Sequence, residues 1–499
     1  SLPNELLLLI ISRLPNAAIK SLRLTSKRLH GMAHLRLNRV FLSANPDNIR
    51  VFRAIADHDL HRHNIEEIIW DDALLQTTSF EGLYRWDYFH GPNGQIIQEH
   101  PDETCPIWYA IACRKNLHAL RTRKNTDADR PDHVTRALEV VAAQQPLHLF
   151  WQTYEELVEK QDTILATNAD TEALIYGLKQ FPSLKRITIT PATHGWLFNP
   201  LYETPMIRDF PFGFNYPIPR GWPASRTGED GPDIQWWNDQ LETTKDQWRG
   251  FRTVTRVLAQ EQHHISELIL DAHQLNTGLN CTIFEAPCDE YHHFLSLLRT
   301  PGFSRLDLAL IIRSQDQRAW PPVDQGLLHQ ALSEATDMEH ISLATTIAAS
   351  DDLMDISDNG MAVDAVPLQT IFPLDKWPKL RHFGLSGFPV THDYILSFLA
   401  QLPPTVRSIE LSFLRFQDNC GNWRTLLPKI RDRLPWRDRG VAVGPKLVIG
   451  IGLEFGNWQI GRGIWLEEEV SAFIYGDGWN FFDVNGYPRW GSGVVRDAF

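Results

Sequence analysis

The chain has 499 residues, of which 43% are hydrophobic and 22% charged. These are the proportions of a folded globular protein, and they exclude disorder as the default. The length allows two or three ordinary domains, or one repeat array with a small module. Five cysteines, Cys105, Cys113, Cys281, Cys288 and Cys420, include no C-x-x-C pair, which excludes a dense disulfide framework and favours reduced thiols in a cytoplasmic or nuclear setting. The net charge of −13 is uneven. Nine Lys or Arg against Glu5 and Asp47 leave residues 1–53 at +7, and a basic start on an acidic body suggests two modules with different partners.

The first element is LPNELLLLIISRLP, residues 2–15. Leu6 to Ile11 is apolar without interruption, so a helix there is apolar nearly all round and has to be covered on more than one side. The acidic flank and the six-residue run do not fit a secretory leader. No later apolar run approaches the 20 or so residues of a membrane span. Pro15 is expected to end this helix, Asn16 to cap a second carrying Ile19, Leu22 and Leu24, and Thr25 or Ser26 to cap a third carrying Leu29, Met32 and Leu35. Three short helices make a module too small to be stable without a metal, a disulfide or a partner, and this one has no cysteine. A partner is the simplest cover.

Leu2-Pro3, Glu5, Leu6, Ile10, Leu14, then Leu22, Leu24, Ser26, Lys27-Arg28 and Leu29 resemble the F-box motif, with Leu29 where a Trp is common and Ser26 where a Cys is common. The resemblance implies docking on a Skp-type adaptor, and through it on a cullin, by Leu2, Pro3, Leu6, Ile10, Leu14, Leu22, Leu24 and Leu29. The wider run, including RLNRVFLSANPDNIRVFRAIADH and the Pro/aromatic stretch near residues 200 to 222, resembles F-box proteins of filamentous fungi. The module is assigned residues 1–42, and the remainder, 43–499, is expected to recognise a protein target.

In that remainder an apolar-x-x-apolar-x-apolar pattern recurs at Ile65, Ile68, Trp70; Leu184, Ile187, Ile189; Ile265, Leu268, Leu270; Phe303, Leu306, Leu308; Met338, Ile341, Leu343; Leu380, Phe383, Leu385; and Val406, Ile409, Leu411. Helical spacing precedes several of these: Leu174, Leu178, Phe181; Tyr291, Phe294, Leu295, Leu298; Leu328, Ala331, Leu332; Ile395, Phe398, Leu399, Leu402. Pro182, Pro301-Gly302 and Pro403-Pro404 stand between helix and strand. Repeated helix-then-strand units give parallel strands with right-handed crossovers. The fold expected is therefore α/β: a three-helix F-box followed by an irregular leucine-rich-repeat-like solenoid with a curved parallel sheet. Successive triads lie 119, 81, 38, 35, 42 and 26 residues apart, where regular leucine-rich repeats keep 20 to 29. The largest insertion, at about 191–243, carries PFGFNYPIPRGWPASRTGEDGP and is read as an ordered cover more than as a recognition loop.

Strand alternation places Arg186, Glu267, Asp271, Arg305, Asp307, His340, His382 and Glu410 on the open side of such a sheet, a surface suited to a protein or peptide. Signals for chemistry are weak. His58, His61 and His63, or the pairs His263-His264 and His292-His293, lack the companions of a zinc site. LVIGIGLEFG, 447–456, has the wrong spacing for dinucleotide binding and reads as a late strand. No catalytic role, cofactor or metal is assigned. The expected function is a non-catalytic substrate-recognition subunit of a cullin-type ubiquitin ligase. The rivals are an F-box scaffold without ubiquitin transfer and, less favoured for want of stacking aromatics, a nucleic-acid binder using the basic segment.

Overall fold

The structure is a computed structural model that describes residues 3–76, 105–122, 133–223, 236–273, 275–312, 325–346, 367–417, 420–452 and 462–497. Three short helices come first: α1 (Asn4–Ile11), α2 (Asn16–Thr25) and α3 (Lys27–Met32). Ser26 caps α3, its hydroxyl accepting the Leu29 N–H. Asn16 does not cap α2 but is its first helical residue. Its amide clamps the returning chain instead, donating to the Arg36 carbonyl at 2.7 Å and accepting the Arg36 N–H at 2.9 Å. α1 ends at Ile11 and tightens into turns in which the Arg13 and Leu14 N–H groups bond to the Ile10 and Ile11 carbonyls, and Pro15 keeps Leu14 from continuing the helix. Ile11, Ile19 and Ala33 form a small core of their own, with Leu14, Leu22 and Leu35 packed on it.

The rest is a mixed α/β structure on one large sheet. Among the described residues the sheet has 12 strands. Its main path runs β1 (Arg39–Leu42), β2 (Glu67–Asp71), β3 (Arg186–Thr190), β4 (Glu267–Leu270), with the short β5 (Leu279–Asn280) beside β6 (Arg305–Ile311). It continues through β7 (His340–Thr345) and β8 (His382–Ser386); β9 (Pro389–Val390) leaves the sheet before β10 (Ser408–Ser412), and β11 (Arg415–Phe416) pairs with β9. The path then ends with β12 (Lys446–Gly452), β13 (Arg462–Leu466) and β14 (Val494–Asp497). From β1 to β12 each strand pairs in parallel with the one before it on this path.

All seven apolar triads are buried, and each supplies a strand and the turn into it. One backbone feature recurs at six of the seven triads. The carbonyl just after the first triad residue accepts two N–H groups of the next unit: Glu66 accepts from Lys185 and Arg186, Lys185 from Ser266 and Glu267, Ser266 from Ser304 and Arg305, Ser304 from Glu339 and His340, Glu339 from Arg381 and His382, and Arg381 from Arg407 and Ser408. Such a shared acceptor satisfies the bend's donors while locking neighbouring units in register.

The four expected helices are present at Ala169–Gln180, Asp289–Leu298, Leu327–Ser333 and His392–Gln401. Two more pack with them: α4 (Pro46–Ala56), capped by Asn45, and the helix Arg249–Gln260 with Phe251, Val254, Val257 and Leu258 buried. The expected all-parallel order is corrected at one end, where β13 and β14 run antiparallel. Fewer than a dozen residues separate Gly452 from Arg462, too few for a parallel crossover. β1, placed by the sequence in the first module, is the first strand of the sheet.

The helices Ile107–Thr122, His133–Ala142 and Leu147–Thr167 lie between β2 and β3. Trp108, Tyr109, Phe150 and Tyr154 from these helices bury against Phe214 and Tyr216 of the Pro/aromatic stretch. That stretch is thus an ordered cover through residue 223; its remainder to 235 lies outside the described residues.

Candidate interaction surfaces

The first surface is α1. Its own small core can use only one side of an all-apolar helix, and Ile11 alone is buried there. Leu6, Leu8, Leu9 and Ile10 are 47%, 50%, 58% and 48% exposed, and Leu24 on α2 is 89% exposed. A contiguous apolar patch of this kind marks a contact with another molecule. Arg36 ties the module shut, its guanidinium donating to the carbonyls of Ser12 and Leu14, while Arg28 donates to Asn4 Oδ1 at 2.6 Å. The patch therefore sits on a braced helix.

The second surface is the sheet face opposite the buried triads. Register alone lines up Arg39, Glu67, Arg186, Glu267, Arg305, His340, His382, Ser408 and Lys446 across nine strands. Two residues further along each strand, Thr188, Ile269, Asp307, Ser342, Gly384 and Glu410 form a second row. The first five residues of the first row alternate in sign, and ion pairs join them to one another or to the second row. Arg39 lies 3.6 Å from Glu67, Arg186 2.5 Å from Glu267, and Arg305 2.6 Å from Asp307 in the second row. Asp307 also accepts from His340 at 2.9 Å.

Burial by itself would raise Asp307, but hydrogen bonds from His340 and Arg305 outweigh it and hold the carboxyl below its ordinary range. Burial, with His340 beside it, pushes His382 down to about 4. Glu410 is raised, chiefly by burial and then by Asp307. Asp271, one residue past β4, pairs with His273 at 3.0 Å. Of the eight residues expected on the open face, seven lie on strands of the sheet and Asp271 just beyond one, and Asp307 holds Arg305 and His340 together.

A third polar cluster, not singled out in the sequence, joins the sheet to the cover. Asp72 accepts the indole N–H of Trp70 at 3.2 Å, that of Trp222 at 2.7 Å and the backbone N–H of Gly250 at 2.7 Å. Burial raises its carboxyl to about 6, against the pull of these donors and of Arg249. Arg249 in turn pairs with the fully buried Asp170 at 2.5 Å. These contacts tie the end of β2 to the cover and to the start of the helix Arg249–Gln260. Among the described residues no group of three or more His, Cys, Asp or Glu is placed to hold a metal, and no helix is long and apolar enough to cross a membrane.

A family model for the F-box domain matches residues 1–36. The chain carries an F-box at its start. Comparison with curated proteins finds no match. F-box domains are protein-interaction modules and typically bind Skp-type adaptors. Of the eight residues expected to dock the F-box, Pro3, Leu6, Ile10 and Leu24 are exposed, Leu29 is half-buried, and Leu2 lies outside the described residues. Leu14 and Leu22 pack in the F-box core. Leu8 and Leu9, exposed beside Ile10, were not singled out, because an uninterrupted apolar run gives no phase from which to choose its outward face.

Proposed function

We propose that this chain is a substrate-recruiting subunit of a cullin-type ubiquitin ligase. The observation that carries the reading is the exposed apolar run of the F-box on a braced helix, which leaves Leu6, Leu8, Leu9 and Ile10 for an adaptor to cover. Seven triads and the recurring shared carbonyls support reading the body as an irregular leucine-rich-repeat-like array, of the kind found in fungal F-box proteins, that recognises a protein target. Its docking face is the charged one: Arg186, Glu267, Asp271, Arg305, Asp307, His340, His382 and Glu410. The subunit contributes proximity and orientation between a target lysine and a ubiquitin-carrying enzyme held elsewhere in the complex, with no acid, base or nucleophile of its own. It works in the cytoplasm or nucleus, where the ligase is.

The test is affinity purification of the tagged full chain and of the chain lacking residues 1–38, with proteins identified by mass spectrometry. Adaptor and cullin with the full chain only, and ubiquitinated co-purifying proteins that lose their ubiquitin on the deletion, support the reading. Adaptor without cullin, with no change in ubiquitination, supports an F-box scaffold instead.

A further inference from the structure

Three side chains from separate elements converge where β1, β2 and β3 end. Asp71 is the last residue of β2, Asn45 caps α4 just beyond β1, and His194 follows β3. None is more than 2% exposed. Together with Ser43, Leu75 and Met206 they line one cavity of about 10 Å³. Each carries one buried atom without a hydrogen-bond partner: Asn45 Nδ2, Asp71 Oδ2 and His194 Nε2.

Their other polar atoms are engaged. Asn45 Oδ1 accepts the Asp47 and Asn48 N–H groups, Asp71 Oδ1 accepts the Ala73 N–H at 3.1 Å, and His194 Nδ1 lies 2.8 Å from the Tyr216 hydroxyl. Asp71 Oδ2 and His194 Nε2 are 3.9 Å apart, too far for a direct hydrogen bond. The separation suits two bonds of ordinary length meeting at one atom between them. The volume is about what a single water requires, and the polar partners number within the two to four that hold a buried water.

We propose that this cavity is a binding site for one water molecule, held by Asn45, Asp71 and His194. The water accepts from the Asn45 amide and donates to the Asp71 carboxylate and to the neutral imidazole, whose remaining proton on Nδ1 goes to the Tyr216 hydroxyl. It fastens the exits of β1 and β2 to the segment that begins the Pro/aromatic cover. The site also tolerates a proton: when Asp71 is protonated its hydroxyl donates to the water, which still donates to His194.

The surrounding charges agree with that assignment. Burial raises Asp71 to about 7; the Ala73 N–H and the Thr193 hydroxyl, which faces the carboxyl without bonding geometry, pull against it, and Asp72 adds to it. Burial pushes His194 down to about 3, with Arg220 adding to the effect. Tyr216 is raised by burial. The imidazole is therefore neutral at neutral pH and able to accept.

The test is a crystal structure of the full chain, with its adaptor if that aids solubility, at a resolution where single waters are distinct. Expected is one ordered water within roughly 2.7 to 3.2 Å of Asn45 Nδ2, Asp71 Oδ2 and His194 Nε2. Absence of density there, or closure of the Asp71–His194 gap to a direct hydrogen bond, would overturn the proposal. In solution, unfolding temperatures of the unaltered protein and of Asp71→Asn are compared across pH 6 to 8. Asp71→Asn keeps the volume and a group that can bond the water but removes the carboxyl whose raised value favours the fold below about pH 7, so its unfolding temperature is expected to fall less as pH rises. Equal slopes would count against a titrating carboxyl in the site.

Discussion

His340 and His382 lie ring on ring across adjacent strands, their centroids 4.0 Å apart and their planes 9° from parallel. His340 donates to Asp307 and His382 Nδ1 is 3.0 Å from the Ser408 hydroxyl, so the pair links the ion pairs around Asp307 to the next strand, β10. Two cationic rings at this distance would repel, and burial already disfavours charge on His382.

A pH dependence follows from that stack. His382 is held near 4 in the fold, against 6.5 as its ordinary value, so between these values the unfolded chain binds more protons. Its contribution to stability is full above about pH 6.5 and is lost as pH falls toward 4. His382→Gln is expected to flatten the decline of the urea midpoint between pH 6.5 and 4.5. A decline of unchanged steepness would show that His382 takes up its proton over the same pH range in the folded and unfolded chain.

Gly250 gives a prediction whose sign opposes helix propensity. Within an exposed helix Gly→Ala stabilises by about 1 kcal/mol. Here an added Cβ meets Asp72 Oδ1 and the Trp70 indole nitrogen at 2.6 Å. Both are buried and hydrogen-bonded to each other, so neither can yield without breaking the cluster. Gly250→Ala is expected to destabilise by about 1 to 3 kcal/mol, read from equilibrium urea unfolding; a stabilised variant would mean that the helix start shifts freely.

Asp72→Ala leaves two indole N–H groups and one backbone N–H without their acceptor. At about 1 to 3 kcal/mol for each unsatisfied buried group, the expected loss is large enough to release the cover from the sheet. Limited proteolysis within residues 191–223 should then become faster, while the helices of the F-box keep their protection. A cleavage pattern like that of the unaltered protein would place the cover's anchorage elsewhere, in the aromatic cluster of Phe214 and Tyr216.

The F-box offers a contrast between two kinds of apolar residue. Leu9→Asp with Ile10→Asp replaces two half-exposed side chains outside the F-box core, so the fold should be retained while adaptor affinity falls by a factor of about 100 or more. Ile19→Asp buries a charge in the F-box core and should unfold the three helices. Circular dichroism and adaptor titration distinguish the two. Equal unfolding by both would mean that Leu9 and Ile10 have a cover within this chain.

What the sequence made legible was local. The triads were readable because a strand buried against helices repeats its apolar residues at short range, and the F-box because its leucines are close in sequence. The charged face followed from alternation once the strands were placed. Asp72 was not readable: its partners Trp222 and Gly250 are 150 and 178 residues away, and no periodicity spans such a distance. Nor was the water site, since Asn45, Asp71 and His194 share only their place at strand exits. β13 and β14 were missed because two short strands after a run of parallel units carry no repeat to announce them.

The most direct measurement is hydrogen exchange of the purified full chain, alone and with its Skp-type adaptor, following the amides of residues 4–32 after gel filtration. The account predicts a one-to-one complex in which α1 and α2 gain protection while the sheet is unchanged. A chain that stays monomeric beside the adaptor, with α1 already protected, would contradict it: the leucines would then be covered from within, and the ligase reading would lose its support.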